Sequence, residues 1–204
     1  MTATNSNTKY MALCGLFAAL TAICSWISIP LGFTPVPMNL ATLAVFLAGG
    51  LLGPKYGPLS LTVYALAGAV GIPVFAGFRG GFSVLAGPTG GYVIGYIVAA
   101  FVVGLLCHFV FNSSINQKRD PKDSDVSHDN QQSRARHGFL ILQIIGTLVI
   151  SLATCYILGT LWFVVSTGTN VAAALFSCVI PFLPGDAIKI VAATILLPKL
   201  HKYV

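Results

Sequence analysis

Long apolar runs, separated by proline and glycine, constrain this chain more than any other feature. One run covers Tyr10 to Ile29, and others cover 92–111 and 139–165. Each has about 20 residues or more, the length that an α-helix needs to cross a bilayer. Only 8% of the residues are charged, whereas soluble domains carry roughly 25%. We therefore predict an all-α, polytopic membrane protein.

Two shorter apolar runs add further helices. Residues 40–52 and 56–72 flank Gly53-Pro54-Lys55, which predicts a helical hairpin with its turn at the lysine. A last helix is predicted over 184–197. The pattern predicts one membrane domain, residues 1–204, with six transmembrane helices.

A hydrophilic stretch at about 113–138 mixes five basic residues with four aspartates. Such a composition cannot bury a core, so we expect a flexible loop. With six spans, this loop shares one side of the membrane with Lys9, Lys55, Lys199 and Lys202, and the other side receives only Arg79. The excess of basic residues places that loop and both termini in the cytoplasm. The net charge of +6 is thus a topology signal in a cell-membrane protein, and we do not expect nucleic-acid binding.

Two irregular segments fall on the outer side of this predicted topology. Residues 30–39 hold three prolines, and residues 73–88 are rich in glycine and aromatic side chains. Both are too apolar for solvated loops. Irregular backbone at membrane depth is tolerated where protein buries it or where it lines a cavity. We therefore predict that the proline-rich segment is a structured plug or lid.

The sequence around Asp186 carries the strongest functional signal. Asp186 is the only acidic residue outside the hydrophilic loop, and Lys189 follows it by three positions. On a helix these side chains share a face, and the first turn stabilises a carboxylate. An ionisable pair inside a membrane marks a functional site by default. The alternative is a structural ion pair that fixes helix register.

The remaining chemistry points to a binding site. The chain has no P-loop, no H-E-x-x-H and no G-x-S-x-G sequence, so we expect no enzyme activity, and we predict no metal site. Apolar pockets with a few convergent polar groups bind small molecules. The candidate residues are Asp186, Lys189, Arg79, Asn39, Thr89, Gly91, Tyr92, Tyr156 and Trp162. For Asn39 a helix-capping role stays open, for Arg79 a headgroup-facing charge, and for the aromatic residues ordinary packing.

Small residues recur at four-residue spacing on the first helix, as Gly15 with Ala19 and Ala18 with Ala22. Such patterns let helices approach closely in lipid. From spacing alone, internal packing and a partner interface are both open.

Five motifs resemble the BioY family, the biotin-specific S components of energy-coupling factor transporters. They are Phe33-Thr34-Pro35-Val36-Pro37, Leu51-Leu52-Gly53-Pro54, Gly71-Ile72-Pro73-Val74-Phe75, Gly87-Pro88-Thr89-Gly90-Gly91-Tyr92 and Pro184-Gly185-Asp186-x-x-Lys189. The resemblance covers about 10–112 and 139–200.

The resemblance implies biotin as substrate, no cofactor, and a bacterial plasma membrane. It also implies a transmembrane coupling subunit and two ATP-binding cassette ATPases as partners, with the small residues of the first helix facing the coupling subunit. Asp186 would then accept from the ureido N–H groups, and Arg79 or Lys189 would take the carboxylate. Tyr92 and Trp162 would cover the bicycle.

Two other functions stay open at this point. A structural or assembly protein would use the Asp–Lys pair only to lock its helices and would contain no pocket. A secondary transporter would couple a small molecule to protons through Asp186, and an inverted repeat between the halves would favour it.

Overall fold

A computed structural model describes residues 3–117 and 129–201. Within these ranges the chain is mostly helical, as predicted, and the irregular segment after the first helix is bracketed by a short antiparallel ladder. The elements in chain order are α1 (Ala3–Trp26), β1 (Ser28–Ile29), β2 (Met38–Asn39), α2 (Ala41–Ala69), α3 (Phe82–Ala86), α4 (Gly90–Gln117), α5 (Asp129–Thr167), α6 (Val171–Cys178), a 3-10 turn (Ile180–Phe182) and α7 (Leu183–Leu200).

Helix α2 is a hairpin of two shorter helices, as the Gly-Pro-Lys sequence predicted. Gly53 has φ +77°, a left-handed conformation that glycine adopts at little cost, and Pro54 follows it. The chain reverses there: a Cβ on Gly57 would lie 2.9 Å from the Cα of Gly49. Residues 41–52 and 54–69 therefore pack against each other in opposite directions.

Contacts at the two ends of the bundle fix the direction of the other helices. The ring of Tyr10 stacks on Tyr56 with centroids 4.8 Å apart, while Trp26 Nε1 donates to the Pro73 carbonyl over 2.8 Å. Helix α1 thus runs in the same direction as 54–69. Thr42 near the start of α2 meets Lys189 near the start of α7. One end of the bundle therefore collects the C-terminus of α1 and the N-termini of α2 and α7.

Glycines bring the backbones of α2 and α4 into direct contact. A Cβ on Gly49 would lie 2.5 Å from the Ala100 carbonyl oxygen, and one on Gly104 would lie 2.5 Å from the Gly53 carbonyl carbon. Small residues permit this approach, and dispersion between close backbones then stabilises the pair in lipid.

Large apolar side chains cover the outer surface, as expected for a multi-pass membrane protein. Leu16, Leu142 and Ile188 are 62%, 66% and 72% exposed. Within residues 3–117 and 129–201, four helical stretches are long and apolar enough to span a membrane, namely Asn7–Trp26, Gly90–Val110, Gly138–Thr167 and Val171–Leu200. Each arm of the α2 hairpin is shorter than the roughly 20 residues of a full span.

The structure differs from the sequence-based predictions in two places, the hydrophilic stretch and the small residues of α1. Helix α4 continues to Gln117 and α5 begins at Asp129, so helices enter both ends of the stretch predicted as a flexible loop, and residues 118–128 lie outside the described part. On α1 the small residues divide between two environments. Ala18 and Ala22 are 8% and 6% exposed, whereas Gly15 and Ala19 lie on the surface. The two pairs therefore do not form one exposed face, because positions 18 and 22 pack into the core.

Candidate functional site

A cavity lies at the end of the bundle where α1 ends and α2, α4 and α7 begin. The space between its lining atoms amounts to about 730 Å³, including the part that is open to the outside. Its wall combines both irregular segments with residues from each of the helices α1 to α7, and holds apolar, aromatic and polar side chains. A protein that only locks helices together was expected to lack such a pocket. The polar lining residues used below are Ser25, Asn39, Thr42, Tyr64, Arg79, Thr89, Tyr92, Tyr96, Tyr156, Asp186 and Lys189.

The predicted ion pair lies in the wall of this cavity. Pro184 occupies the first turn of α7, where its missing N–H costs nothing, and Asp186 follows in the same turn. Lys189 Nζ is 2.7 Å from Asp186 Oδ1, which confirms the predicted contact. Asp186 is 3% exposed and Lys189 6%. Each charge therefore depends on the other for the stabilisation that water would otherwise supply.

Two hydroxyl groups from other helices complete the environment of the carboxylate. Thr42 Oγ1 accepts from Lys189 Nζ over 3.0 Å and donates to Asp186 Oδ1 over 3.3 Å. The Tyr156 hydroxyl donates to Asp186 Oδ2. The ammonium group has three N–H donors, of which two are used here. The cluster therefore offers a ligand one further cationic donor and a carboxylate held in a fixed position.

We expect Tyr156→Phe to lower the free energy of unfolding by about 1–3 kcal/mol, because a buried carboxylate oxygen loses a donor. Thermal unfolding of the ligand-free protein in detergent measures this loss. Tyr56→Phe is the matched control, since its hydroxyl makes only a 3.4 Å surface hydrogen bond to Asn7. Equal stability of the two variants would contradict a stabilising Tyr156–Asp186 bond.

Four other predicted residues also line the cavity. Asn39 Oδ1 accepts from the backbone N–H of Ala41 over 3.0 Å, so Asn39 fixes the start of α2 and lines the cavity as well. Tyr92 donates to the Cys178 carbonyl over 3.5 Å. Thr89 lies at the turn before α4, and Arg79 is exposed, which places it at the mouth. The cavity thus has a buried polar end and a cationic outer end.

Gly91 and Trp162 do not line the cavity. A Cβ on Gly91 would lie 2.1 Å from the Trp162 Cβ, so the glycine permits close packing of α4 against α5. Trp162 is 38% exposed, and its Nε1 donates to the Gly87 carbonyl over 3.0 Å. Both residues instead hold α5 against the turn that carries Thr89.

Trp162→Phe should change ligand affinity by less than about threefold, because the indole makes its polar contact on the outer surface. A calorimetric titration of the purified variant measures this. Thr42→Val is the contrast, since Thr42 lines the cavity and bonds to both members of the ion pair. A large loss of affinity in Trp162→Phe with none in Thr42→Val would contradict this assignment.

Sequence reasoning missed several polar groups of the cavity. Ser25 Oγ and the Tyr64 hydroxyl are 2.8 Å apart and buried, and Tyr64 packs edge-on against Phe75. Tyr96 from α4 lines the same space. Thr42 had a usable signal, since it is the only polar side chain in the run 40–52. No sequence signal marked the tyrosines as cavity residues, because Tyr also occurs commonly in ordinary helix packing.

Fold and cavity together define a class: helical membrane proteins with a cavity at one end of the bundle and a buried ion pair in its wall. Within that class the chain belongs to the BioY family, whose sequence pattern matches residues 1–204.

Named relatives agree with this membership. The chain is 36% identical over 193 residues to the probable biotin transporter BioY of Pyrococcus horikoshii, covering 95% of this chain and 96% of that protein. It is 56% identical over 92 residues to the biotin transporter BioY of Thermotoga maritima, a match covering 45% of this chain and 53% of that protein. The crystal structure of the S-component for biotin from an ECF-type ABC transporter superposes with a TM-score of 0.77 at 27% identity, covering 100% of this chain and 96% of that one.

Proposed function

We propose that this chain is the biotin-capture subunit of an energy-coupling factor importer. The observation that carries the proposal is the cavity with a buried Asp186–Lys189 pair at its inner end and Arg79 at its mouth. Relatives and a structural neighbour whose names specify biotin support the choice of ligand.

The chemistry of the cavity matches the chemistry of biotin. A ureido ring has two N–H donors and one carbonyl acceptor, the fused thiolane is apolar, and the tail ends in a carboxylate. Asp186 accepts from the ureido N–H groups, and Lys189 donates to the ureido oxygen. Tyr92 and Tyr156 cover the apolar ring, while Arg79 takes the carboxylate near the mouth. Each polar group of the ligand then has a partner, which a buried site requires.

The subunit acts with partners that consume ATP. We infer that a transmembrane coupling subunit and two ATP-binding cassette ATPases join it in the plasma membrane of a bacterium. Six membrane-crossing helices, counting both arms of the α2 hairpin, put Lys9, Lys55 and Lys199 on the cytoplasmic side. Both termini are then cytoplasmic, and the cavity with Arg79 opens to the outside. Gly15 and Ala19, exposed on α1, are available for the coupling subunit.

A calorimetric titration with biotin tests the binding part of this proposal. One-to-one binding at submicromolar concentration is the expected result, with no heat from thiamine or pantothenate as vitamin controls. Uptake of labelled biotin into proteoliposomes tests the transport part. Biotin uptake should require ATP on the side of the vesicle membrane where the ATPases are bound. Uptake should stop when the coupling subunit is omitted. If the protein binds biotin but uptake requires neither ATP nor the coupling subunit, the capture role is supported and the coupled mechanism is contradicted.

A further inference from the structure

A second cavity adjoins the mouth of the first. The space between its lining atoms is about 880 Å³, including the part open to the outside. Three residues line both cavities, namely Pro37 from the proline-rich segment and Ala76 and Arg79 from the glycine-rich segment. Any molecule that enters the inner cavity from this outer cavity therefore passes these residues.

The wall of the outer cavity is held in place by specific contacts. Trp26 at the end of α1 stacks on Phe78 with centroids 5.0 Å apart, and its Nε1 donates to the Pro73 carbonyl. Gly77 and Phe78 have φ of +71° and +56°, so both residues of this turn adopt a left-handed backbone conformation. The Phe75 N–H closes this turn by donating to the Arg79 carbonyl over 2.9 Å. The aromatic wall and the arginine are thus parts of one ordered structure.

Arg79 is the charged side chain of this outer wall. Its Nε donates to the Ala76 carbonyl over 3.2 Å, which sets the orientation of the guanidinium and leaves the terminal nitrogens as donors. In the part of the chain that the structure describes, the salt bridge found is Lys189–Asp186, so Arg79 has no carboxylate partner there. A planar guanidinium beside an aromatic wall suits a small organic carboxylate.

We propose that the outer cavity is an access site, in which Arg79 binds the carboxylate of the ligand before the ring passes between Pro37 and Ala76 into the inner cavity. The proposal rests on the proposed function, because it takes biotin as the organic anion. It adds a binding step ahead of the final site, and it makes Arg79 a determinant of the association rate. Charges at the rim of a binding site act mainly on association and on its salt dependence.

The first test compares an anionic with a neutral ligand. Rapid filtration with radiolabelled biotin and with its radiolabelled methyl ester gives association and dissociation rate constants. For Arg79→Gln we expect the association rate constant of biotin to fall by about tenfold or more at low salt, with no change for the ester. A variant that instead only accelerates biotin dissociation would overturn the proposal, since Arg79 would then act in the final complex alone.

The second test obstructs the outer cavity without touching the inner one. Ser28 lines only the outer cavity, so Ser28→Trp fills it. An obstruction on the path slows association and dissociation of biotin by the same factor, and the dissociation constant stays the same. Ile29→Trp is the matched control, because the neighbouring strand residue points to the opposite face and lines neither cavity. Unchanged rates in Ser28→Trp would overturn the proposal.

Failure of this inference differs from failure of the proposed function. If the unaltered protein binds no biotin, the proposed function is contradicted. If it binds biotin, and either Arg79→Gln only accelerates dissociation or Ser28→Trp leaves both rate constants unchanged, only the access site is contradicted.

Discussion

Asp186→Asn should weaken biotin binding by about 30-fold to several thousand-fold. Removing one member of a buried, hydrogen-bonded charge pair costs about 2–5 kcal/mol, and each 1.4 kcal/mol is about tenfold in affinity. Part of the loss is the missing acceptor for the ligand N–H groups. The rest arises because Lys189, 6% exposed, loses the counterion that lies 2.7 Å away. A calorimetric titration of the purified variant measures the loss.

Two companion variants separate binding from folding. Lys189→Ala should lose affinity to a similar degree, because it leaves the carboxylate without its cation. In the double variant Asp186→Asn with Lys189→Met no buried charge remains unpaired, so its stability should approach that of the unaltered protein while biotin binding stays lost. Retention of biotin by both single variants would show that the pair has a structural role only.

Gly49→Ala should lower the free energy of unfolding by about 1–3 kcal/mol, which is the usual cost of overfilling a packed contact. The added methyl group would lie 2.5 Å from the Ala100 carbonyl oxygen and 2.9 Å from the Val103 Cβ. One neighbour is backbone, so no side-chain rotation relieves the contact, and α2 must move away from α4. Thermal unfolding in detergent measures the effect.

Gly146→Ala is the matched control for this helix contact. Gly146 lies inside α5, and a Cβ built there meets nothing within 4 Å. Alanine has a higher helix propensity than glycine, by about 1 kcal/mol, so this variant should be as stable as the unaltered protein or more so. Equal destabilisation of both variants would mean that backbone proximity between α2 and α4 does not limit residue size at position 49.

The sequence could predict features that depend on local spacing. The i, i+3 relation of Asp186 and Lys189 and the hairpin at Gly53-Pro54-Lys55 each follow from a few adjacent residues. Asn39 is a mixed case, because its predicted capping and cavity-lining roles turn out to be compatible. Local signals of this kind therefore predicted the ion pair and the helical hairpin, both of which the structure contains.

Features that depend on contacts between distant parts of the chain could not be predicted from the sequence. Thr42 reaches Asp186 across a sequence separation of 144 residues, and no pattern in either segment specifies that pairing. Gly91 and Trp162 show the converse, since both stand near cavity residues in sequence but pack against each other instead. The small residues of α1 divide between core and surface because the position of α2 decides which side is buried.

Mass spectrometry of small molecules released from the detergent-purified protein tests the central claim most directly. Cells grown with biotin should yield protein carrying about one biotin per chain, and the Asp186→Asn variant prepared in the same way should carry almost none. Wild-type protein without biotin, together with no heat on adding biotin, would contradict the assignment of this cavity to biotin capture.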